Sequence, residues 1–199
     1  METERDRVRE FFAAKAVGWE KRFPDDGPAY DAAVAELGLR PGQSALDAGC
    51  GTGRALPALR QAVGPAGTVI GADLTPEMLR EATVLGRHRA GSLVEADSSR
   101  LPLRDACLEG VFAAGLLHHL PDPAAGLREF ARVTGPGGRL ALFHPIGRAA
   151  LAARRGHTLH EDDVRAKPNL SPLLTDAGWE LVVFDDSEDR YLAVAVRQR

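Results

Sequence analysis

From about residue 41 onward, short apolar runs alternate with stretches whose apolar positions recur at helical spacing. Ser44–Ala48, Thr68–Asp73, Ser92–Ala96, Gly110–Ala114 and Arg139–His144 read as buried strands. Helical patterns fall between them near Arg54–Val63, Pro76–Arg87 and Ala124–Thr134. Strands alternating with helices predict parallel pairing through right-handed crossovers. The end of the chain departs from that rhythm. Glu180–Phe184 and Tyr191–Val196 are joined by the polar stretch 185–190, a hairpin-like connection with no room for a helix.

Residues 1–40 read as helical, with Val8, Phe11, Phe12 and Ala16, then Val34 and Leu37, at helical spacings. The cluster Pro24–Pro28 predicts a break between two pieces. Between the fifth and sixth strands, Pro145 to Trp179 is long for a plain connection and predicts short helices around Ala149–Arg155 and Asn169–Ala177. That leaves little room for an elaborate cap. Phe11, Phe12, Trp19 and Tyr30 in the N-terminal segment are then the candidates for a lid, with packing against the sheet as the competing reading. We expect a single domain over 1–199, divided into a lid region at 1–40 and a cofactor-binding core at 41–199.

The densest chemical signal lies at the first strand's end. Asp47 closes an apolar run, Gly49, Gly51 and Gly53 follow at alternate positions, and a helical pattern begins. Glycines there let the backbone turn sharply and approach a ligand closely. A second carboxylate, Asp73, ends the next strand, where such a group can accept both hydroxyls of a ribose. The pattern predicts a nucleoside site. A dinucleotide fingerprint would need a third glycine at position 54 or 56, and those residues are Arg54 and Leu56. A pyrophosphate on the helix N-terminus is therefore disfavoured.

The remaining D-x-G-x-G-x-G spacing resembles motif I of the class I S-adenosylmethionine-dependent methyltransferases. Four later segments continue the resemblance: Gly71–Leu79, Glu95–Pro102, Leu116–Asp122 and Arg132–Gly138. The similarity is greatest to the small-molecule branch that includes the quinone-biosynthesis C-methyltransferases. It implies an α/β fold, a Rossmann-like, mostly parallel seven-stranded sheet with an antiparallel last strand and helices on both faces. It also implies S-adenosylmethionine as cofactor. Asp47 and Gly49, Gly51 and Gly53 would approach its methionine part, and Asp73 the ribose. Leu74 would pack on the adenine, Asp97 and the Ser98 N–H would read its edge, and Leu116 would floor the sulfonium. For Asp73 and Asp97 the competing reading is a helix cap or a solvated strand end. Two departures from the family pattern are Glu109 for an aspartate before strand four and a missing lysine in Thr134–Gly138.

The implied activity is methyl transfer to a small-molecule acceptor by in-line attack, for which positioning and water exclusion suffice. His144 and, behind it, His119 are the candidate general bases, since both follow strands at the same edge. The alternative is a non-catalytic S-adenosylmethionine-binding module working through a partner. His157, His160 and Glu161–Asp163 hold metal-ligand types without a metal motif, so no metal is expected. Cys50 and Cys107 read as packing residues.

Composition narrows the classes further. Among 199 residues, 44% hydrophobic and 27% charged content fits a globule, and the net charge of −3 argues against a nucleic-acid partner. Arg87–Arg89 and Arg154–Arg155 read as solvated helix faces. No apolar run approaches a membrane span, and the mixed-charge start lacks a signal-peptide core, so the expected location is cytoplasmic. The oligomeric state stays open, with a homodimer as one candidate.

Overall fold

A computed structural model describes residues 3–22 and 26–199. Pro24 and Asp25, part of the predicted break, lie outside the described residues. Two helices, α1 (Glu4–Ala16) and α2 (Gly27–Ala35), precede the sheet, with a 3₁₀ turn at Trp19–Arg22 between them. Then come β1 (Ser44–Ala48), α3 (Leu56–Val63), β2 (Thr68–Asp73), α4 (Pro76–Val84), β3 (Ser92–Glu95) and β4 (Leu108–Ala114). The remainder is α5 (Pro123–Val133), β5 (Thr134–His144), α6 (Arg148–Arg154), α7 (Lys167–Asp176), β6 (Trp179–Asp186) and β7 (Tyr191–Arg197). The strand order is β3-β2-β1-β4-β5-β7-β6, with β7 antiparallel to both its neighbours and the pairs among β1–β5 parallel. This is the expected mostly parallel seven-stranded sheet.

Helix starts follow from proline. Pro28, Pro57, Pro76, Pro123 and Pro168 sit in the first turns of α2, α3, α4, α5 and α7, where a missing N–H costs nothing and φ is already helical. Strand alternation then sorts the core onto two faces. Leu46, Val111, Leu140 and Leu142 meet Leu127, Phe130, Leu170 and Trp179. Ala45, Phe112, Phe143 and Val194 meet Val34, Leu56, Leu59 and Val63. Between β1 and β4 the chain changes winding direction, which opens a crevice at the carboxyl ends of the strands.

Several boundaries move for local reasons. The predicted helix over Pro76–Arg87 stops at Val84, because Gly86 adopts φ +75° and turns the chain. Arg87–Arg89 forms a separate 3₁₀ turn, and Arg87 is not a solvated face residue: its guanidinium turns inward to Glu20 at 2.8 Å. The helix expected from Arg54 begins at Leu56, after the glycine turn. Strand five was expected from Arg139 after a turn, yet extended pairing starts at Thr134 opposite Leu108 and shifts register before Gly110 pairs with Arg139. Glu109 lies within β4, not before it, and its carboxylate accepts the Ser44 N–H at 2.7 Å.

Trp179 anchors one face: it is 1% exposed, and its indole N–H donates to the Leu127 carbonyl at 3.0 Å. Trp179→Phe should lower folding stability by about 1–3 kcal/mol, through the lost indole hydrogen bond and lost volume. Denaturant titration reads this as an earlier midpoint at unchanged slope; an unmoved midpoint would refute it.

Candidate functional site

The crevice is a cavity of about 670 Å³ whose walls carry Asp47, Gly49, Gly51, Asp73, Leu74, Asp97, Ser98, Leu116, His119 and His144. That size lies within the range of about 300–1,000 Å³ usual for small-molecule sites. Gly53 is the one predicted site residue set back from it, since the Leu56 and Arg87 side chains stand against its α-carbon. Its contribution is the turn.

All three loop glycines adopt left-handed φ, +63° at Gly49, +54° at Gly51 and +79° at Gly53. A side chain at Gly49 would strike Leu116, whereas one at Gly51 would project into open space. A ligand can therefore lie against bare backbone at Gly51.

Asp73 organises that loop. Its carboxylate accepts the Gly51 N–H at 2.8 Å through Oδ2 and the Thr75 N–H at 2.8 Å through Oδ1. It is not a helix cap, because Thr75 occupies the N-cap position of α4. Each oxygen retains a lone pair for a further donor. Burial raises the Asp73 carboxyl above its usual range, with the Thr75 and Gly51 N–H groups working against the rise. Burial also pushes Asp47 well above that range, the Asp73 charge adds to this, and Arg87 opposes it. Two buried carboxylates side by side favour a ligand that brings hydroxyl donors and positive charge.

Asp97 is tied differently. Its Oδ1 accepts from the Ser99 N–H at 2.8 Å and the Ser99 hydroxyl at 2.6 Å, and its Oδ2 lies 3.4 Å from Arg5 Nε on α1. Ser98 is buried beside it.

The far end of the cavity is apolar and imidazole-rich. Phe12, Trp19, Ile146 and Leu151 line it together with His118, His119 and His144. Of the lid candidates, Phe12, Trp19 and Tyr30 reach the cavity, whereas Phe11 is 49% exposed and packs on Phe12 and Lys15. Tyr30 also stacks edge-on against Phe143, so it serves the core as well. His144 Nδ1 lies 3.1 Å from the Ile146 N–H and 2.8 Å from the Ile146 carbonyl; one tautomer accepts there and the other donates. Burial lowers its pKa, the Ile146 bond opposes this, and Arg165 and Arg155 lower it further. Burial drives His119 down to about 4, with Arg155 adding to the effect. It drives His118 down to about 3, with His119 adding. His118 Nδ1 is buried without a hydrogen-bond partner. All three imidazoles are thus neutral at pH 7 and able to accept a proton.

Sequence reasoning passed over Arg5, Glu20 and Arg87 as site residues, because their partners are distant in the chain. Arg154 and Arg155, expected on a solvated face, are exposed yet stand at the cavity mouth. Asp163, in the polar stretch with metal-ligand types, is engaged by Arg165 at 2.9 Å and Arg148 at 3.4 Å. Among the described residues no helix is long and apolar enough to cross a membrane.

Comparison with known proteins agrees with this geometry. Residues 46–142 match the family described as methyltransferase domain. A protein carried by a transposon of Streptomyces fradiae is 37% identical over 155 residues, 72% of this chain and 45% of its own length. Demethylmenaquinone methyltransferase of Staphylococcus aureus is 36% identical over 130 residues, 63% of this chain and 48% of its own length. The chain thus spans about half the length of these curated relatives. In structure, an S-adenosylmethionine-dependent methyltransferase of Aquifex aeolicus superposes with a TM-score of 0.74 at 23% identity, covering 92% of this chain and 97% of its own. The matched domain and the superposed fold bear out the resemblance to class I S-adenosylmethionine-dependent methyltransferases. Within that class it resembles the quinone methyltransferases.

The three imidazoles make acid stability a test of this arrangement. An unfolded histidine titrates near 6.5, so their contribution is complete above about pH 6.5 and is lost as pH falls toward about 4. Replacing His118 and His119 by Asn should reduce the stability lost between pH 7 and 5 by about 1–2 kcal/mol per histidine. Asp47 and Asp73 titrate with the opposite sign but are common to both proteins and cancel in the difference. Parallel acid limbs in thermal melts would contradict the burial-driven shifts.

Proposed function

We propose that this chain transfers the methyl group of S-adenosylmethionine to a small-molecule acceptor. The observation that carries the reading is the continuity of one cavity from Asp73 and Asp97 at one end to His144 and Leu151 at the other. A binding module without catalysis would need no cavity beyond the nucleoside end, so the same observation favours transfer. The S. aureus relative is named for a small molecule, and a net charge of −3 suits such an acceptor better than a polyanion.

The residues fit the cofactor. Asp73 has two lone pairs left for the ribose hydroxyls, and the buried Asp47 offers a carboxylate to the methionyl ammonium. The bare backbone at Gly51 leaves room for close approach. When bound, the cofactor supplies an electrophilic methyl on a cationic sulfur. Leu116, pressed against Gly49, supports that part of the cavity. The apolar wall of Phe12, Trp19, Ile146 and Leu151 excludes water around the acceptor. His144 is the group we assign to the acceptor's proton. Ile146 fixes its Nδ1, and Nε2 has no protein partner among the described residues. The activity resides in this chain as a cytoplasmic protein.

Mass spectrometry of the purified protein should find retained S-adenosylmethionine or its demethylated product; absence of both, with no binding by titration, would refute the reading. Asp73→Ala should weaken cofactor binding at least about tenfold, because charge-assisted bonds to the ribose vanish and the Gly51 N–H loses its acceptor. Unchanged affinity in calorimetric titration of folded protein would remove Asp73 from the site. His144→Ala should lower turnover by roughly 10²–10⁴-fold with cofactor affinity unmoved. Turnover at the wild-type rate would leave positioning alone as the mechanism.

A further inference from the structure

The glycine loop is gripped from outside the sheet by a residue that belongs to the N-terminal segment. Glu20, in the 3₁₀ turn Trp19–Arg22, accepts the Thr52 hydroxyl at 2.5 Å. Its other oxygen accepts from Arg87 Nη2 at 2.8 Å and lies 3.5 Å from Arg54 Nε. Arg87 closes the circuit by donating to the Thr52 carbonyl at 2.9 Å and the Thr52 hydroxyl at 3.2 Å. Arg54 in turn donates to Asp26, just before α2, at 2.8 Å. Thr52 itself is 1% exposed and sits between Gly51 and Gly53, both in the left-handed region.

Glycines permit that backbone shape but do not enforce it, since a flexible residue loses the most entropy when fixed. Something else must hold the loop. Asp73 fixes Gly51 from the β2 side, and the Glu20–Arg87 pair fixes Thr52, the next residue, from the opposite side. Glu20 is partly buried, and although burial opposes its charge, the Arg87 and Thr52 hydrogen bonds prevail and hold its carboxyl below the usual range. The pair is shielded enough for these bonds to count, unlike an exposed surface bridge.

We propose that Glu20 is a positioning residue for the cofactor, acting through the Thr52 hydroxyl and Arg87 to preset the glycine loop. The N-terminal segment is then a working part of the cofactor site and not only a cover over the acceptor. Glu20 touches neither reactant; it sets the shape of the backbone that does. The inference rests on the loop holding S-adenosylmethionine, as proposed above.

The test is calorimetric titration of the intact chain with S-adenosylmethionine, with dissociation rates followed in parallel. Glu20→Gln and Thr52→Val should each weaken binding by about tenfold to a hundredfold, mainly through faster dissociation. Thr52→Ser, which keeps the hydroxyl, should bind like the wild type. The double variant Glu20→Gln/Thr52→Val should lose little more than either single change, because both break one circuit. A general loss of stability would not restore binding in Thr52→Ser or produce that non-additivity. Additive losses, or Glu20→Gln and Thr52→Val binding within about twofold of a wild type that binds, would overturn the proposal. Failure of the wild type to bind at all would overturn the cofactor reading itself. Should Glu20→Gln not fold, the Thr52 pair and its dissociation rates decide alone.

Discussion

The structure of the site depends on one buried carboxylate accepting two backbone N–H groups. Asp73 ends β2, yet it reaches sideways to Gly51 after β1 and forward to Thr75 before α4. It therefore joins the ends of two neighbouring strands and the start of a helix in one hydrogen-bonded unit. Its burial makes the charged form unfavourable, and the two N–H groups only partly offset this. A ligand that adds donors relieves that cost, so affinity and loop order rise together. Asp47, more deeply buried and next to that charge, carries the same cost with less compensation.

The two ends of the cavity divide by physical character. At the end lined by Asp47, Asp73 and Asp97 the walls come from strand termini and backbone, which the sheet holds at fixed positions. At the histidine-rich end they come from α1, the turn after β4, and the segment running from His144 into α6. There the electrostatics is set by neutral imidazoles under the influence of Arg155 and Arg165. Neutral bases beside fixed cations suit the removal of a proton from a weakly acidic acceptor.

The fold was legible because alternation of apolar runs and helical spacings is a property of neighbouring residues. Asp47, Asp73 and the glycines could be read for the same reason: an apolar run that ends in a carboxylate before spaced glycines has few structural uses. Apolar spacing left helix starts blurred by a residue or two, where Pro57, Pro123 and Pro168 would have marked them. What escaped was long-range. Glu20 and Arg87 are 67 residues apart, and nothing local distinguishes Arg87 from the exposed basic residue two places on. Arg54 could be read as the absence of a glycine, but its pairing with Asp26 and Glu20 only appears once α2 is laid against α3. The position of His118 after strand four was legible, but its unpartnered buried nitrogen exists only after the turn closes over it.

Helix α1 contributes only Ala16 to the buried core; it lies against α4 and pairs Arg5, 55% exposed, with Asp97. Such a pair contributes about 1 kcal/mol at most. Val8 and Phe12 can therefore be exchanged over evolution with little penalty in folding, whereas a change at Asp73 or Gly51 disturbs the sheet's own edge. One half of the cavity is free to change shape while the other is held by the fold. In a duplicated copy of this chain, substitutions on the first helix could reshape the cavity and leave the sheet as it is.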